Sequence, residues 1–372
     1  MIKLPKQGEL SAVEAKSMAQ YIAFSPYIFQ ATAAMKDLGI LQFIDKNRRQ
    51  GALLNDIVNA VEVSEYGVSV LLDFALTCGL VTVLNIEGSA EDEKKQNCLP
   101  RYTLTKVAFF LLHDEMSVVN FDFTQHFGYQ GLANLTESIK TGKPEGLKVF
   151  GDWSTLYPHL AELPAQTRAS WFAFDHFYSD HAFDEILPLV FASTPKHIVD
   201  IGGNTGRFTI KCLQHDSEVE VTIMDLPPQL AKAQQNITEA GLADRFHQFP
   251  CDMLDPKQPL AENADVYWMS QFLDCFSEPQ IQIILSNIAN GISGQQRVLI
   301  LETFWDAQKF DAAAFSLNAT SLYFTCFANG NSRMYAADKF IALVENSGLT
   351  IEQRIDNIGL GHSLLVCSKA DT

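Results

Sequence analysis

The spacing of apolar residues changes twice along this chain. From about Ala12 to Leu112 they recur at helical intervals, broken by two short β-prone runs. Leu53–Val61 predicts a short amphipathic helix. Ser64 is placed to cap the next helix, which runs through Cys78 and stops at Gly79. Leu80–Leu84 and Tyr102–Thr105 then read as strands around an acidic loop at residues 85–100. Helix, helix, strand, loop, strand is the order of a winged helix. From about Ser117 to Phe191 aromatics dominate, as in Trp171–Tyr178, which predicts buried rings and some pocket lining. From about His197 short apolar runs alternate with helical segments. His197–Ile201, Glu220–Leu226, Ala264–Met269 and Arg297–Thr303 predict a parallel sheet with helices on both faces. Thr350–Ile355 and Ser363–Lys369 predict an antiparallel hairpin at its edge. The expected organisation is a mostly helical, winged-helix-like region over residues 1–115, a helical linker and pocket region over 116–190, and a Rossmann-like α/β domain over 191–372.

Composition narrows what such a chain can do. With 372 residues, two domains are the default expectation, and 47% hydrophobic against 19% charged residues excludes a disordered chain. The formal net charge of −17 repels phosphate backbones, and no basic cluster offsets it, so nucleic acid is not an expected partner. The acidic loop between the first two strands points the same way, because a wing that touches DNA should be basic. The polar N-terminus lacks the apolar core of a signal peptide, and Val107–Leu112 is too short to span a bilayer. No membrane association and a cytoplasmic location are therefore expected. Seven dispersed cysteines without a C-x-x-C pair read as reduced, mostly buried thiols, and nine histidines without ligand spacing suggest no metal.

The strongest local signal is the segment His197–Phe208, which places Asp200, Gly202, Gly203 and Gly206 between a strand and a helix. Glycines there let the backbone turn sharply and approach a ligand. A dinucleotide fingerprint would need glycine where Ile201 stands, which disfavours an NAD-dependent oxidoreductase. S-adenosylmethionine, with an ammonium tail and a sulfonium but no pyrophosphate, wants carboxylate partners. Asp200 is expected to face the ammonium directly or through water. Asp225, at the end of the next strand, can accept from both ribose hydroxyls, and Asp252 from the adenine amino group, with Met253 against the ring.

With these segments in view, the chain resembles the plant-type small-molecule O-methyltransferases and their bacterial relatives, the caffeate, flavonoid and hydroxyindole methyltransferases. Asp200–Gly206 is similar to that family's DVGGGTG, with Asn204 in place of a glycine; Asn tolerates left-handed backbone. Met224–Pro227, Cys251–Leu254 and Tyr178–Phe183 match as well, the last resembling an M-S-D-H-S helix in which Tyr178 replaces a substrate-holding methionine. The resemblance covers nearly the whole chain. It implies a class I methyltransferase domain using S-adenosylmethionine, a small aromatic acceptor, and a homodimer formed through the N-terminal domain.

The family's catalytic segment L-H-D-W-S-D corresponds to Leu273–Glu278, which puts Asp274 at the histidine's place and Phe276 at that of a tryptophan able to cover adenine. Glu302 keeps one of the two acids that orient the histidine, Ser332 replaces the other, and Ser270 stands where a cofactor-directed lysine is found. Aspartate, with a reference pKa of ~3.9, is a poor base for a phenol near ~10 unless burial raises it. Asp274 beside Glu302 could share a proton and act as a pair. Alternatively Asp274 caps the following helix, a role for which Ser277 competes. Cys275 reads as pocket wall rather than nucleophile. The expected reaction is methylation of a small aromatic or polyketide-like acceptor on oxygen or on ring carbon, and loss of the histidine tilts it towards carbon methylation or an acceptor already ionised. A different outcome, a catalytically silent cofactor binder that regulates or scaffolds, is the alternative.

Overall fold

Two units make up the chain, divided between Gln125 and His126. The structure is a computed structural model and describes residues 10–84 and 99–370. The acidic loop thus lies largely outside the described residues, as does Cys98.

The first unit is built on α1 (Ala12–Asp37), α2 (Ile40–Lys46), α3 (Leu54–Val61) and α4 (Glu65–Thr77), with α5 (Lys106–His113) and α6 (Glu115–Phe123) after the strands. Ser64 caps α4 by accepting from the Gly67 N–H at 3.1 Å, as its position predicts. β2 (Val81–Val83) and β3 (Arg101–Leu104) pair antiparallel, and β1 (Ala52–Leu53), too short to read from the sequence, adds a third strand in the order β1-β3-β2. Met35, Ile40, Leu41, Ile44, Ile57, Val68 and Leu72 form the core beneath this small sheet. It is the winged-helix arrangement that the sequence order predicts.

The second unit begins with α7 (Leu135–Thr141) and the long α8 (Ala165–Val190), then enters the alternating region. There β4 (His197–Ile201), α9 (Arg207–His215), β5 (Glu220–Asp225), α10 (Pro227–Glu239), β6 (Phe246–Pro250), β7 (Val266–Ser270), α11 (Glu278–Gly291) and β8 (Arg297–Glu302) follow in turn. α12 (Asp311–Tyr323), α13 (Ala337–Asn346), β9 (Leu349–Ile358) and β10 (His362–Lys369) complete it. The sheet order is β6-β5-β4-β7-β8-β10-β9, parallel from β6 to β8 and antiparallel for β10 against both neighbours. The predicted terminal hairpin forms, with β9 at the edge and β10 inside it.

Alternation along the strands feeds two cores. Val199 and Ile201 point to the side packed by Ile281, Ile284 and Phe340 of α11 and α13. Ile198 points to the other, packed by Ile186, Phe208 and Ile237 of α8, α9 and α10. The order reverses direction between β4 and β7, so the crevice at their carboxyl ends is the place where ligands bind in open α/β sheets. Among the described residues no helix is long and apolar enough to cross a membrane.

Candidate functional site

At the tip of β4 the chain turns through Gly202, whose φ of +72° places it in the left-handed region. A Cβ there would lie 2.2 Å from Cδ2 of Phe272, and one on Gly203 would lie 2.7 Å from Oδ2 of Asp200. Glycine is required because a ring presses on the turn from the β7 side and a carboxylate fills it from below. The expected reason, free approach of a ligand, is not what these two contacts show. Asn204 adopts a φ of +48°, the left-handed geometry its residue type suggests.

Asp200 is bound into the fold beneath the turn. Its side chain is 3% exposed, Oδ2 accepts the Thr209 hydroxyl of α9 at 2.8 Å, and burial raises its pKa to about 7. Its alternation on β4 aims it at α9, so one carboxylate oxygen braces the glycine turn. Asp225, at the tip of β5, is half-buried and accepts backbone N–H groups from Asn204 at 2.9 Å and Leu226 at 2.7 Å. Each oxygen keeps a lone pair for a further donor such as a ribose hydroxyl. Beyond β6, Asp252 is exposed and accepts the Leu254 N–H at 3.0 Å. Met253 packs in the core with Met224 and Cys251, which leaves little of it for an adenine ring. The three acids thus stand at the tips of adjacent strands, Asp225 and Asp252 open to a ligand and Asp200 beneath them. Ser270, at the tip of β7, has a buried hydroxyl with no hydrogen-bond partner among the described residues, a group a cofactor could satisfy.

After β7, Leu273–Cys275 makes a single 3₁₀ turn. Asp274 is 4% exposed and Glu302, at the end of β8, is 1% exposed. Glu302 Oε1 accepts the N–H groups of Phe272 at 3.2 Å and Leu273 at 2.9 Å, which pins the turn. Glu302 Oε2 and Asp274 Oδ1 are buried without partners among the described residues. Burial raises Asp274 to about 6; burial and then the Asp274 charge push Glu302 well up. Capping does not explain Asp274, because Ser277 holds the N-cap position of α11, its N–H and hydroxyl donating to Gln280 Oε1 at 2.9 and 2.8 Å. Cys275 accepts the Tyr157 hydroxyl at 3.3 Å, and burial pushes its thiol well up, as suits a wall residue.

The O-methyltransferase domain family matches residues 133–350, and the Dimerisation2-like domain family residues 16–88. The chain belongs to the O-methyltransferase family. It is an S-adenosylmethionine-dependent methyltransferase. An L-tyrosine C(3)-methyltransferase of Streptomyces lavendulae is 24% identical over 358 residues, 94% of this chain and 92% of the relative. A mitomycin biosynthesis 6-O-methyltransferase of the same species is 27% identical over 157 residues, 42% of each chain. The solved S-adenosylmethionine-dependent methyltransferase SibL shares the fold, with a TM-score of 0.71 at 21% identity over 95% of this chain and 99% of that one. All three are described as methyltransferases, which leaves the silent-binder alternative without support.

Several side chains that shape this methyltransferase's site escape sequence reasoning. Phe272 lies against Gly202 and meets the Phe276 ring edge-on at 4.9 Å. Asn329 donates to the Cys275 carbonyl at 2.6 Å and is itself held by the Ser332 hydroxyl at 2.8 Å. Ser332, at the place of the family's missing acid, therefore still braces the Leu273–Cys275 turn through Asn329. Phe276 is half-buried, and its carbonyl accepts the Tyr335 hydroxyl at 2.7 Å. Tyr178 is half-buried on α8 between Phe174 and Phe177, with ring centroids at 5.2 and 5.3 Å. No local motif marks Phe272 or Asn329; only their tertiary contacts do.

Proposed function

We propose that this methyltransferase acts on a small phenolic acceptor and places the methyl group on a ring carbon, with Asp274 and Glu302 as its acid–base pair. The observation that carries the reading is this pair of buried carboxyls, each with an unpartnered oxygen, beside the glycine turn at the switch point of the sheet. S-adenosylmethionine brings an activated methyl group on a sulfonium, so the protein has only to orient the acceptor and move a proton. In this reading Asp225 and Asp252 hold the ribose and adenine, Asp200 keeps the glycine turn in shape, and Ser270 donates to the cofactor. Phe276 and Phe272 cover the site from the β7 side, and Tyr178 contributes to the acceptor wall.

The carboxyl pair takes the phenolic proton. S-adenosylmethionine, when bound, would supply its methyl group to the electron-rich ring carbon beside the phenolate oxygen, the new carbon–carbon bond replacing the carbon–sulfur bond. The proton displaced from that carbon would restore the phenol hydroxyl as aromaticity returns, and the carboxyl pair would pass the proton it took to solvent, so that one proton is released per transfer. A carboxyl near pH 6 matches this task better than an ordinary aspartate, since a base works best when its pKa lies near the working pH. The long relative named for tyrosine C(3) supports the carbon acceptor, and the shorter match to an O-methyltransferase keeps oxygen as the second reading.

Incubation with methyl-labelled cofactor and a panel of hydroxylated aromatics tests the proposal, with NMR to tell carbon-bound from oxygen-bound methyl. Tight cofactor binding with no transfer to any phenol would sink it. The same proposal includes a homodimer in the cytoplasm. Val13, Ile22, Phe24 and Tyr27 of α1 are exposed apolar side chains that a second copy would cover, and light scattering at the mass of a monomer would remove that part.

A further inference from the structure

β7 ends at Ser270, and the next residue, Gln271, has a φ of +47°. Left-handed backbone is unfavourable for a residue with a Cβ. Among the described residues six other than glycine adopt it. Three are asparagines, the type that tolerates it, and Glu62 and Thr194 close helical turns, where it is common. Neither reason covers Gln271. It stands three residues before Asp274, and strained backbone persists only where its surroundings fix it.

Two hydrogen bonds fix it. Its N–H donates to the Leu301 carbonyl at 2.9 Å, which extends the β7–β8 ladder by one step. Its side-chain Oε1 accepts the Nε2–H of His362 at 3.1 Å, and that histidine is fully buried at the start of β10. His362 precedes Ser363, which pairs with Glu302 between β10 and β8. The glutamine side chain thus ties the end of β7 to a fixed point two strands away. Phe272 then returns to right-handed backbone, with φ −108° and ψ −44°. A left-handed residue next to a right-handed one makes a nest, in which successive backbone N–H groups converge on an anion. Here the N–H groups of Phe272 and Leu273 converge on Glu302 Oε1 at 3.2 and 2.9 Å, while Oε2 stays buried without a partner among the described residues. One carboxylate oxygen is held, and the other is left for a proton.

Building on the proposed role of the Asp274–Glu302 pair, we infer that Gln271, braced by His362, is a positioning residue: its left-handed turn shapes the backbone nest that holds the Glu302 carboxylate at the Leu273–Cys275 turn. Gln271 acts through its backbone, and its side chain serves to keep that backbone in place. Glycine takes the same φ without a brace, whereas a side chain of similar length without the amide does not.

The test is amide hydrogen exchange of the full chain, resolved by NMR at Phe272 and Leu273. Both amides should be protected in wild type, and Glu302→Met, which removes the acceptor, should speed their exchange about 10-fold or more. Gln271→Met loses the bond to His362 and should do the same, while the amides of β4 change by less than about 2-fold and show that the sheet is intact. Gln271→Gly loses the same bond but keeps the turn, so its two amides should stay within about 3-fold of wild type. His362→Leu removes the brace from the other side, should speed exchange as Gln271→Met does, and stands in for it if that variant does not fold. Adding Gln271→Gly to His362→Leu should restore protection. Unprotected amides in wild type, protection that survives Glu302→Met, no change in Gln271→Met or His362→Leu, or exchange in Gln271→Gly as fast as in Gln271→Met overturns the inference. Because the readout is exchange, a nest that behaves as expected in a protein that methylates no phenol would count against the reaction proposed above and leave this positioning role standing.

Discussion

At the tips of β4, β5 and β6 each carboxylate is held by a donor from its own chain: Asp200 by the Thr209 hydroxyl, Asp225 by the backbone of Asn204 and Leu226, Asp252 by that of Leu254. At the tips of β7 and β8, Asp274 and Glu302 each keep a buried oxygen with no partner among the described residues. The two halves of one crevice thus treat the same functional group in opposite ways. Internal donors on the β4–β6 side fix the shape of the turn before any ligand arrives, which would lower the ordering cost if, as proposed, the cofactor binds there. Unpartnered carboxyls on the other side are costly to fold and are tolerated where a proton has to be exchanged.

The sharpest way to break this comparison is Asp274→Asn. If the acid–base work lies on the β7–β8 side, transfer should fall about 100-fold or more while the cofactor dissociation constant moves by less than about 3-fold, measured by steady-state kinetics and calorimetry. A parallel loss of both would erase the division. Next in size is Gly202→Ala, which strains a φ of +72° and drives a methyl group into the Phe272 ring. A loss of cofactor affinity of about 10-fold and roughly 1–3 kcal/mol of stability is expected, partly recovered by adding Phe272→Ala. No recovery in the double variant would mean that the ring does not set the turn.

The third prediction concerns pH. Both Asp274 and Glu302 titrate above their unfolded values of 3.8 and 4.5. A raised carboxyl favours the protonated folded state, so its stabilising share is complete below about pH 4 and is lost as pH rises through the folded pKa, about 6 for Asp274. Asp274→Asn removes that loss. Its melting temperature should match wild type near pH 4 and exceed it at pH 7, by the equivalent of roughly 1–3 kcal/mol. A variant less stable at pH 7 than wild type would show that burial of this carboxyl costs nothing. Smallest is Ser277→Ala, which should cost about 1 kcal/mol of stability through the cap of α11 and leave transfer within about 2-fold. A large drop in rate would tie the cap to the catalytic turn.

Much of this layout is legible in the chain. Strand alternation, the glycine turn and the acids Asp225 and Asp252 follow from spacing, because a period-2 apolar run ending in a turn fixes where its last residue stands. The direction of Asp200 does not follow, since it depends on Thr209 nine residues on and on the gap at Gly203. Met253 shows the same limit: its place after a strand suggests contact with a ring, but an apolar side chain goes to the core if the core has room. Asn329 reaches Cys275 across 54 positions, and Phe272 meets Gly202 across two neighbouring strands, relations that no window of sequence contains.

By itself the sequence determined the order of elements, the parallel sheet, the winged-helix front and the positions of the acids around the turn, because periodicity and turn chemistry act over a few residues. Tertiary structure alone decided which of those acids is braced by a side chain from a neighbouring helix and which pair is buried with unpartnered oxygens. Burial and hydrogen-bond satisfaction depend on strands and helices far apart in the chain, and they set the charge state on which the chemistry rests.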